Sequence, residues 1–395
     1  MLRTVAQEAT ELPKAGLTMT KMFRTAHVLS AIVGAFFLLA GSGRAQAEPP
    51  IRVAIVGLVH GHVKGFLAAL PGNQAATLVA IVEPQEALAK DYAAKYHLDA
   101  KLFYIDLEKM LVEQHPDAVL VYTTIADHRK VIETAARHGV SSMVEKPLST
   151  TLEDALAIRA IAHERRVQVL VNYETTWYAS NHEVIAQAVA GKFGELRRVV
   201  VHDGHEGPKE IGVGPEWLPW LTDPVQNGAG ALFDFGCYGA DLMTVLMHGQ
   251  PPLSVTAVTQ TDKPEIYPQV DDDATVILRY PKAQAVLMPS WNWSFARKDM
   301  EVYGNAGYAI TVGPDRVRVR YRGDKVEQDP PLTAPPLAAA QRDSLSYLAA
   351  VLRGHVQPNG DLSSLETNVV VMQILDAARR SAQSGKTVQL APLPQ

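Results

Sequence analysis

The sequence predicts a doubly wound parallel α/β unit, followed by an α+β unit built on an open, mostly antiparallel sheet. Three observations carry this. Apolar runs of strand length alternate with helix-like segments from Ile51 to Val144. Those runs are apolar nearly throughout, as strands covered on both faces are. Beyond Leu196 the strand-like runs follow one another with few helices between them, the pattern of an α+β unit.

The elements follow in order. Ile51 to Val56 is the first strand and stops at Gly57. The loop Gly57-Leu58-Val59-His60-Gly61-His62 leads into a helix-like segment from Val63 to Leu70. Thr77 to Val82 is a second strand closed by Glu83, and Ala87 to Tyr96 is an amphipathic helix. Ala118 to Thr123 is a further strand. His128 to His138 is a helix ended by Gly139, a residue suited to a helix C-terminus. Val140 to Val144 then leads into Glu145-Lys146-Pro147. Short links between alternating strands and helices predict the parallel sheet.

The second half reads differently. Strands are predicted at 196–202, 253–260, 274–280, 283–289 and 317–321. Asp271-Asp272-Asp273 reads as a solvated turn, and the proline-rich stretch Asp329 to Ala338 as a surface loop. Leu365 to Ser381 is a long helix stopped by Gly385, with a last short strand at Thr387 to Leu390. The predicted organisation is a leader over 1–47, a nucleotide-binding domain over 48–170 and a substrate and oligomerisation domain over 171–395.

Composition bounds the function. The chain has 395 residues, 47% hydrophobic and 20% charged, which suits two folded domains and excludes a disordered chain. Net charge is −5 with scattered basic residues, so nucleic acid is not an expected partner. Cys237 is the single cysteine. It cannot form an intramolecular disulfide and reads as a small buried hydrophobe.

The leader has the parts of a secretory signal. Lys21 and Arg24 precede the apolar run Val28 to Ala40, and Ala45-Gln46-Ala47 is a small-x-small cleavage site. The apolar run is too short to span a bilayer, so no membrane association is expected after cleavage. Met19 or Met22 suits the start of such a signal better than Met1. The expected location is the periplasm or the exterior.

A glycine turn between a first strand and a helix sets backbone N–H groups and a helix N-terminus against a pyrophosphate. Here Gly57 holds the first position, Val59 and His62 replace later glycines, and Gly61 is shifted by one. Glu83, at the end of the second strand, is placed to accept ribose hydroxyls. Pro84 and Gln85 follow it and no arginine does, which favours NAD over NADP. The alternative is that 57–62 is only a tight turn. His60 and His62 lack a third ligand nearby in sequence. They read as polar groups lining the dinucleotide cleft, and no metal is expected.

Glycine loop, Glu83, Thr123-Thr124-Ile125-Ala126-Asp127-His128 and Val144-Glu145-Lys146-Pro147-Leu148 occur in that order. Gly228 to Leu242 adds a glycine-rich segment containing Asp234-Phe235-Gly236-Cys237-Tyr238. Together these resemble the Gfo/Idh/MocA oxidoreductases, the glucose–fructose oxidoreductase and inositol dehydrogenase group, from Ile51 to about Leu390. The resemblance implies a Rossmann domain holding a nicotinamide, with a sheet domain over its open edge, in a homo-oligomer. Lys146 would match the family lysine that meets the reacting hydroxyl, and Pro147 a proline often preceded by a cis bond. Thr123, Thr124, His128, Glu145 and Lys146 would face the cofactor, and Asp234 and Tyr238 would bind substrate. Thr124 and Ile125 depart from the family's proline and asparagine. Tyr238 stands where many members have a catalytic histidine and some have a tyrosine.

Asp234 and Tyr238 are four residues apart, so a helix would turn both to one side. Lys146 nearby would lower the Tyr238 pKa and stabilise a developing alkoxide. Tyr238 is therefore expected as acid/base, Lys146 as electrostatic partner and Asp234 as acceptor for sugar hydroxyls. The alternative for Tyr238 is a core aromatic. Tyr173, Trp177 and Trp291 lie in predicted loops and suit stacking on a carbohydrate.

The expected activity is NAD(P)-dependent oxidation or reduction of a sugar carbinol with a tightly held nucleotide, since free NAD is scarce outside the cytoplasm. Two alternatives stand beside it. One is glycoside cleavage by transient oxidation and elimination. The other is a carbohydrate-binding protein that kept only the fold.

Overall fold

The computed structural model describes residues 48–394. The predicted leader over 1–47 lies outside the described residues.

The first sheet contains β1 (Ile51–Val56), β2 (Ala76–Val82), β3 (Phe103–Tyr104), β4 (Ala118–Val121), β5 (Ser141–Glu145) and β6 (Val169–Asn172). Their order is β3-β2-β1-β4-β5-β6, all parallel. The crossovers carry α1 (Val63–Ala69), α2 (Glu86–Tyr96), α3 (Leu107–Gln114), α4 (His128–Arg137) and α5 (Leu152–Arg165). Strand order reverses between β1 and β4. Crossovers leave to opposite sides there and open a crevice at the carboxyl ends of the strands, where ligands of such sheets bind. The apolar runs are explained directly: every residue of β4 and β5 is buried.

A link through α6 (Ala179–Val189) leads to the second sheet. Its strands are β7 (Leu196–Gly204), β8 (Ser254–Gln260), β9 (Asp273–Arg279), β10 (Gln284–Ser290), β11 (Arg297–Gly304), β12 (Gly307–Thr311), β13 (Arg316–Tyr321), β14 (Leu332–Thr333) and β15 (Val388–Gln389). The order is β14-β13-β12-β11-β7-β10-β9-β8-β15. β7 and β10 are parallel and the other pairs antiparallel. Side chains alternate along β7, and Val199, Val201 and Asp203 point inward. Covering that face are α8 (Ala231–Asp234), α9 (Gly236–Leu246) and α11 (Leu365–Ser384), while α7 (Leu218–Leu221) and α10 (Ser344–Leu352) pack elsewhere. The hydroxyl of Ser364 caps α11, accepting from the Thr367 amide, and Gly385 ends it with φ +66°.

Two expectations about organisation change. The first sheet continues to Asn172, so residue 170 falls inside β6. Leu345, Tyr347, Leu348 and Val351 of α10 pack with Val53, Ile55, Leu67 and Leu120 around the first sheet. The chain thus returns to the first sheet after completing most of the second.

The acidic triplet is not a solvated turn. Asp272 is fully buried and accepts hydrogen bonds from the amides of Asp262 and Lys263 and from Asn292 Nδ2. Asp271 accepts from the Gly230 and Leu232 amides at 3.0 and 2.7 Å, anchoring the start of α8. A Cβ on Gly230 would lie 1.8 Å from the Asp271 carbonyl oxygen, so only glycine admits this approach.

Candidate active site

The glycine loop is built for close approach. Gly57 has φ +83°, and a Cβ there would lie 2.7 Å from Thr123 Cγ2. The loop's amides divide into two groups. Those of Gly57, Leu58 and His60 bond Val82 O, Glu83 Oε2 and Tyr122 O. Those of Val59 and Gly61 have no hydrogen bond among the described residues, which leaves two donors at the start of α1. Thr123 and Gly57 share a cavity of about 890 Å³ with Val82, Pro84, Ala126 and Arg129. Thr124 is held locally, donating to Asp127. His128 is buried: its Nδ1 lies 3.2 Å from Leu148 O and its Nε2 has no partner among the described residues. Burial pushes this imidazole down to about 4.

Glu83 departs from expectation. It is buried, and its two oxygens accept from the Leu58 and Gln85 amides at 2.8 and 2.9 Å. It braces the glycine loop instead of standing open to a ribose. Burial raises its pKa despite both amides.

At the end of β5 the Lys146–Pro147 peptide is cis. Lys146 Nζ donates to Asp234 Oδ1 at 2.5 Å and to the Asp234 carbonyl at 3.0 Å. Asp234 Oδ2 accepts from the Trp291 indole at 2.9 Å. This network joins residues 88 and 57 positions apart. Burial opposes charge on both partners. Their mutual attraction outweighs it, so the Lys146 pKa is raised and the Asp234 pKa lowered.

Tyr238 lies beside this pair but not as expected. Phe235 interrupts the helix, so Asp234 closes α8 while Tyr238 sits in α9. Lys146 Nζ lies 5.3 Å from the Tyr238 ring centroid and Lys298 Nζ 5.2 Å from it. Tyr238 is 1% exposed. Burial, with smaller contributions from Cys237 and nearby carboxylates, pushes its pKa well above 10. The expected lowering by Lys146 is therefore overturned. Desolvation of the phenolate outweighs the ammonium, whose charge Asp234 already neutralises.

Two expected stacking platforms are also corrected. Tyr173 is fully buried, with its hydroxyl on Asn368 Oδ1 at 2.7 Å and its ring edge-on to Tyr238. Trp291 is fully buried against Tyr267 and acts on Asp234 through its N–H. Both rings are consumed by packing between elements. Trp177 does line a cavity of about 740 Å³, together with Gly61, His62, Glu145, Asn172 and Glu174.

Glu145 closes that cavity's inner end. Its Oε2 meets His62 Nδ1 at 2.8 Å and its Oε1 accepts from Asn172 Nδ2 at 2.9 Å. Burial opposes its charge, but His62, Asn172 and Lys146 together hold the carboxyl below its usual value. His60 is buried 4.6 Å from His62, centroid to centroid, and burial holds its pKa well below 6.5.

Several groups escaped the sequence reading. Asp203 is 3% exposed, its Oδ2 has no partner among the described residues, and burial pushes its pKa well above the carboxylate range. Lys298 pairs across the sheet with Asp203 and reaches Glu174. The segment 217–226 spans the crevice. Trp217 packs on Gly61, Trp220 Nε1 donates to Val59 O at 3.3 Å, and Gln226 O accepts from the Ala126 amide at 3.1 Å. An inward aspartate in the alternating β7 pattern was the one visible signal. The contacts across the crevice left none.

The comparisons with known proteins agree with this geometry. Residues 51–173 match the model described as an oxidoreductase family with an NAD-binding Rossmann fold. Residues 178–310 match the GFO/IDH/MocA C-terminal domain. The chain is 24% identical over 232 residues to human trans-1,2-dihydrobenzene-1,2-diol dehydrogenase, covering 58% of this chain and 64% of that enzyme. The match thus spans a little under two thirds of that relative. It is 22% identical to inositol 2-dehydrogenase of Rhizobium meliloti, covering 82% of this chain and 94% of the enzyme. Among solved structures, an aldose-aldose oxidoreductase from Caulobacter crescentus complexed with glycerol superposes with a TM-score of 0.72 at 24% identity. That superposition covers 86% of this chain and 100% of the other. An inositol dehydrogenase homolog complexed with NAD+ from Azotobacter vinelandii gives 0.73 at 21% identity, covering 87% and 98%. At these identities the superpositions speak for the fold.

Proposed function

This chain belongs to the Gfo/Idh/MocA family of NAD-binding oxidoreductases, and from that premise we propose that it moves hydride between a ring carbinol of a sugar or sugar derivative and a tightly held NAD. The observation that carries the reading is the buried Lys146–Asp234–Trp291 network at the end of β5. A lysine held there on a single carboxylate can turn to a reacting oxygen without first being drawn from water.

The residues present fit a dinucleotide. The unpartnered amides of Val59 and Gly61, the absent Cβ of Gly57 and the unpartnered Nε2 of His128 all lie around the β1–β4 crevice. A bound nicotinamide would supply or take the hydride. Pro84 and Gln85 after β2 offer no cation to a ribose phosphate, which favours NAD over NADP.

Lys146 then has two tasks. As an ammonium it stabilises negative charge on the substrate oxygen, and in the reducing direction it gives that oxygen a proton. Asp234 holds Lys146 in place and offers an acceptor to a neighbouring hydroxyl. Trp291 fixes the Asp234 carboxylate plane. Tyr238 shields the pair from water. In the oxidising direction Lys146 must first lose its proton, so that direction gains from rising pH.

The 1–47 segment supports export before folding. N-terminal sequencing of protein recovered from a periplasmic extract tests this, with Glu48 expected as the first residue.

Denaturing the purified protein and identifying released nucleotide by mass tests the cofactor reading. Near-stoichiometric NAD is expected, and sugars or polyols should change the absorbance of the bound nicotinamide. Protein that carries no nucleotide and binds neither NAD nor NADP would remove the oxidoreductase reading.

A further inference from the structure

We propose that His60, His62 and Glu145 form a binding site for one divalent transition-metal ion with the ligand preferences of zinc. In sequence the two histidines lack a third ligand. The fold supplies one from 83 residues away, at the end of β5. One ligand atom from each of the three lies within 4.8 Å of the other two. Zinc holds nitrogen and oxygen ligands at about 2.0–2.2 Å, which sets tetrahedral ligands roughly 3.4 Å apart. A small inward movement of His60 and a small opening of the His62–Glu145 contact would meet that spacing.

The surroundings are those of a built site. Asn172 Nδ2 holds Glu145 Oε1 at 2.9 Å and leaves Oε2 facing His62. Asn172 is itself fixed by the Trp177 indole, which donates to its Oδ1 at 3.0 Å. Partners of this kind orient ligating carboxylates and sharpen affinity. The rings of Trp217 and Trp220 stand 4.8 and 5.4 Å from His60 and give the site an apolar wall. Its other side opens into the cavity of about 740 Å³ that Glu174 and Asn172 also line. Three protein ligands with an open position is the pattern of a site that exchanges water or a substrate oxygen, not of a closed structural site. A hydroxyl or a carboxylate oxygen is the ligand class that such an open position would take.

The competing reading is that His62 and Glu145 only hydrogen-bond to pin the glycine loop. The two are separated on protein stripped of both nucleotide and metal, so the result does not depend on the cofactor reading. Zinc is titrated by calorimetry and cobalt by visible absorption. We expect one equivalent of each, with cobalt bands of a nitrogen- and oxygen-ligated ion. His62→Ala and Glu145→Gln should each lower zinc affinity by at least about 100-fold, and Asn172→Ala by about 10–100-fold. His62 is the most exposed of the three ligands, so His62→Ala keeps the test valid if Glu145→Gln does not fold. No uptake by the wild type, or uptake unchanged in a correctly folded His62→Ala, overturns the site.

Discussion

At the scale of single residues, the burial of Tyr238 sets it apart from the acid/base role expected from its spacing to Asp234. A phenol buried to 1% exposure, with its pKa pushed up by burial, is poorly suited to take a proton near neutral pH. Tyr238→Phe should therefore keep kcat within about 10-fold, whereas losing a working acid/base costs about 10²–10⁴-fold. Steady-state kinetics on the best substrate decides it, and a loss near the upper figure would restore the phenol to the chemistry. Lys146→Met should lower kcat by about 10²–10³-fold, as removing one donor to a developing oxyanion does. Its content of bound nucleotide should stay unchanged, because Lys146 contacts Asp234 and not the loop amides. A kcat near wild type would exclude Lys146 from the mechanism.

At the scale of elements, two contacts hold the site together. The Asp271 carboxylate bonds the amides that begin α8, the helix that ends in Asp234. Asp271→Ala leaves those donors unpaired, which costs about 1–3 kcal/mol for each buried group. Chemical denaturation should show the loss, and activity should fall with it because Asp234 shifts. Retained stability would mean that water replaces the carboxylate. The 217–226 segment is the second contact. It bonds the β1 loop at Val59 and the β4 loop at Ala126, across the crevice between them. On the proposed reading, this segment helps to retain a nucleotide in that crevice. Trp217→Ala should speed nucleotide release by about 10-fold or more, a loss of roughly 1.4 kcal/mol in retention. Stopped-flow exchange against a fluorescent analogue measures the rate. Equal rates in variant and wild type would show that the segment does not retain the nucleotide.

At the scale of the whole molecule, buried titratable groups shape stability against pH. The folded His128 pKa lies at about 4, below the ordinary value of 6.5. Between those values the unfolded chain binds a proton that the folded one refuses, so stability falls as pH drops from 6.5 towards 4. Asp203 works in the opposite sense. Its raised folded pKa keeps a proton that the unfolded chain releases above 3.8, so its contribution is lost as pH rises. Thermal melts across pH 4 to 8 should show a shallower acid limb in His128→Gln than in wild type. Parallel curves would place the acid sensitivity elsewhere.

The strands β1, β2, β4 and β5, the helices α1, α2 and α4 and the long α11 were legible because their patterns are local, whereas α3 was not foreseen. An apolar strand, a glycine after it and a proline that stops a run each act within a few residues. Lys146 and Asp234 were legible through their motifs, and the structure brings them together. The corrected positions fail for one reason. Whether Tyr173 and Trp291 face a ligand, or Asp272 faces water, depends on what arrives from elsewhere in the chain. The triplet at 271–273 looks like a turn because its neighbours in sequence are polar. It is buried because Gly230, Asp262 and Asn292 close over it.

The sequence by itself determined the layered architecture, the Rossmann crevice at the strand ends and the identity of the central lysine. Tertiary structure alone decided which groups meet and in which direction the buried ones shift their pKa. Local periodicity is set by side chains two to four positions apart, whereas His62 meets Glu145 across 83 residues and Lys146 meets Asp234 across 88. Only the path of the chain brings such pairs into contact, and for Lys146 and Asp234 that contact outweighs the burial that opposes their charges.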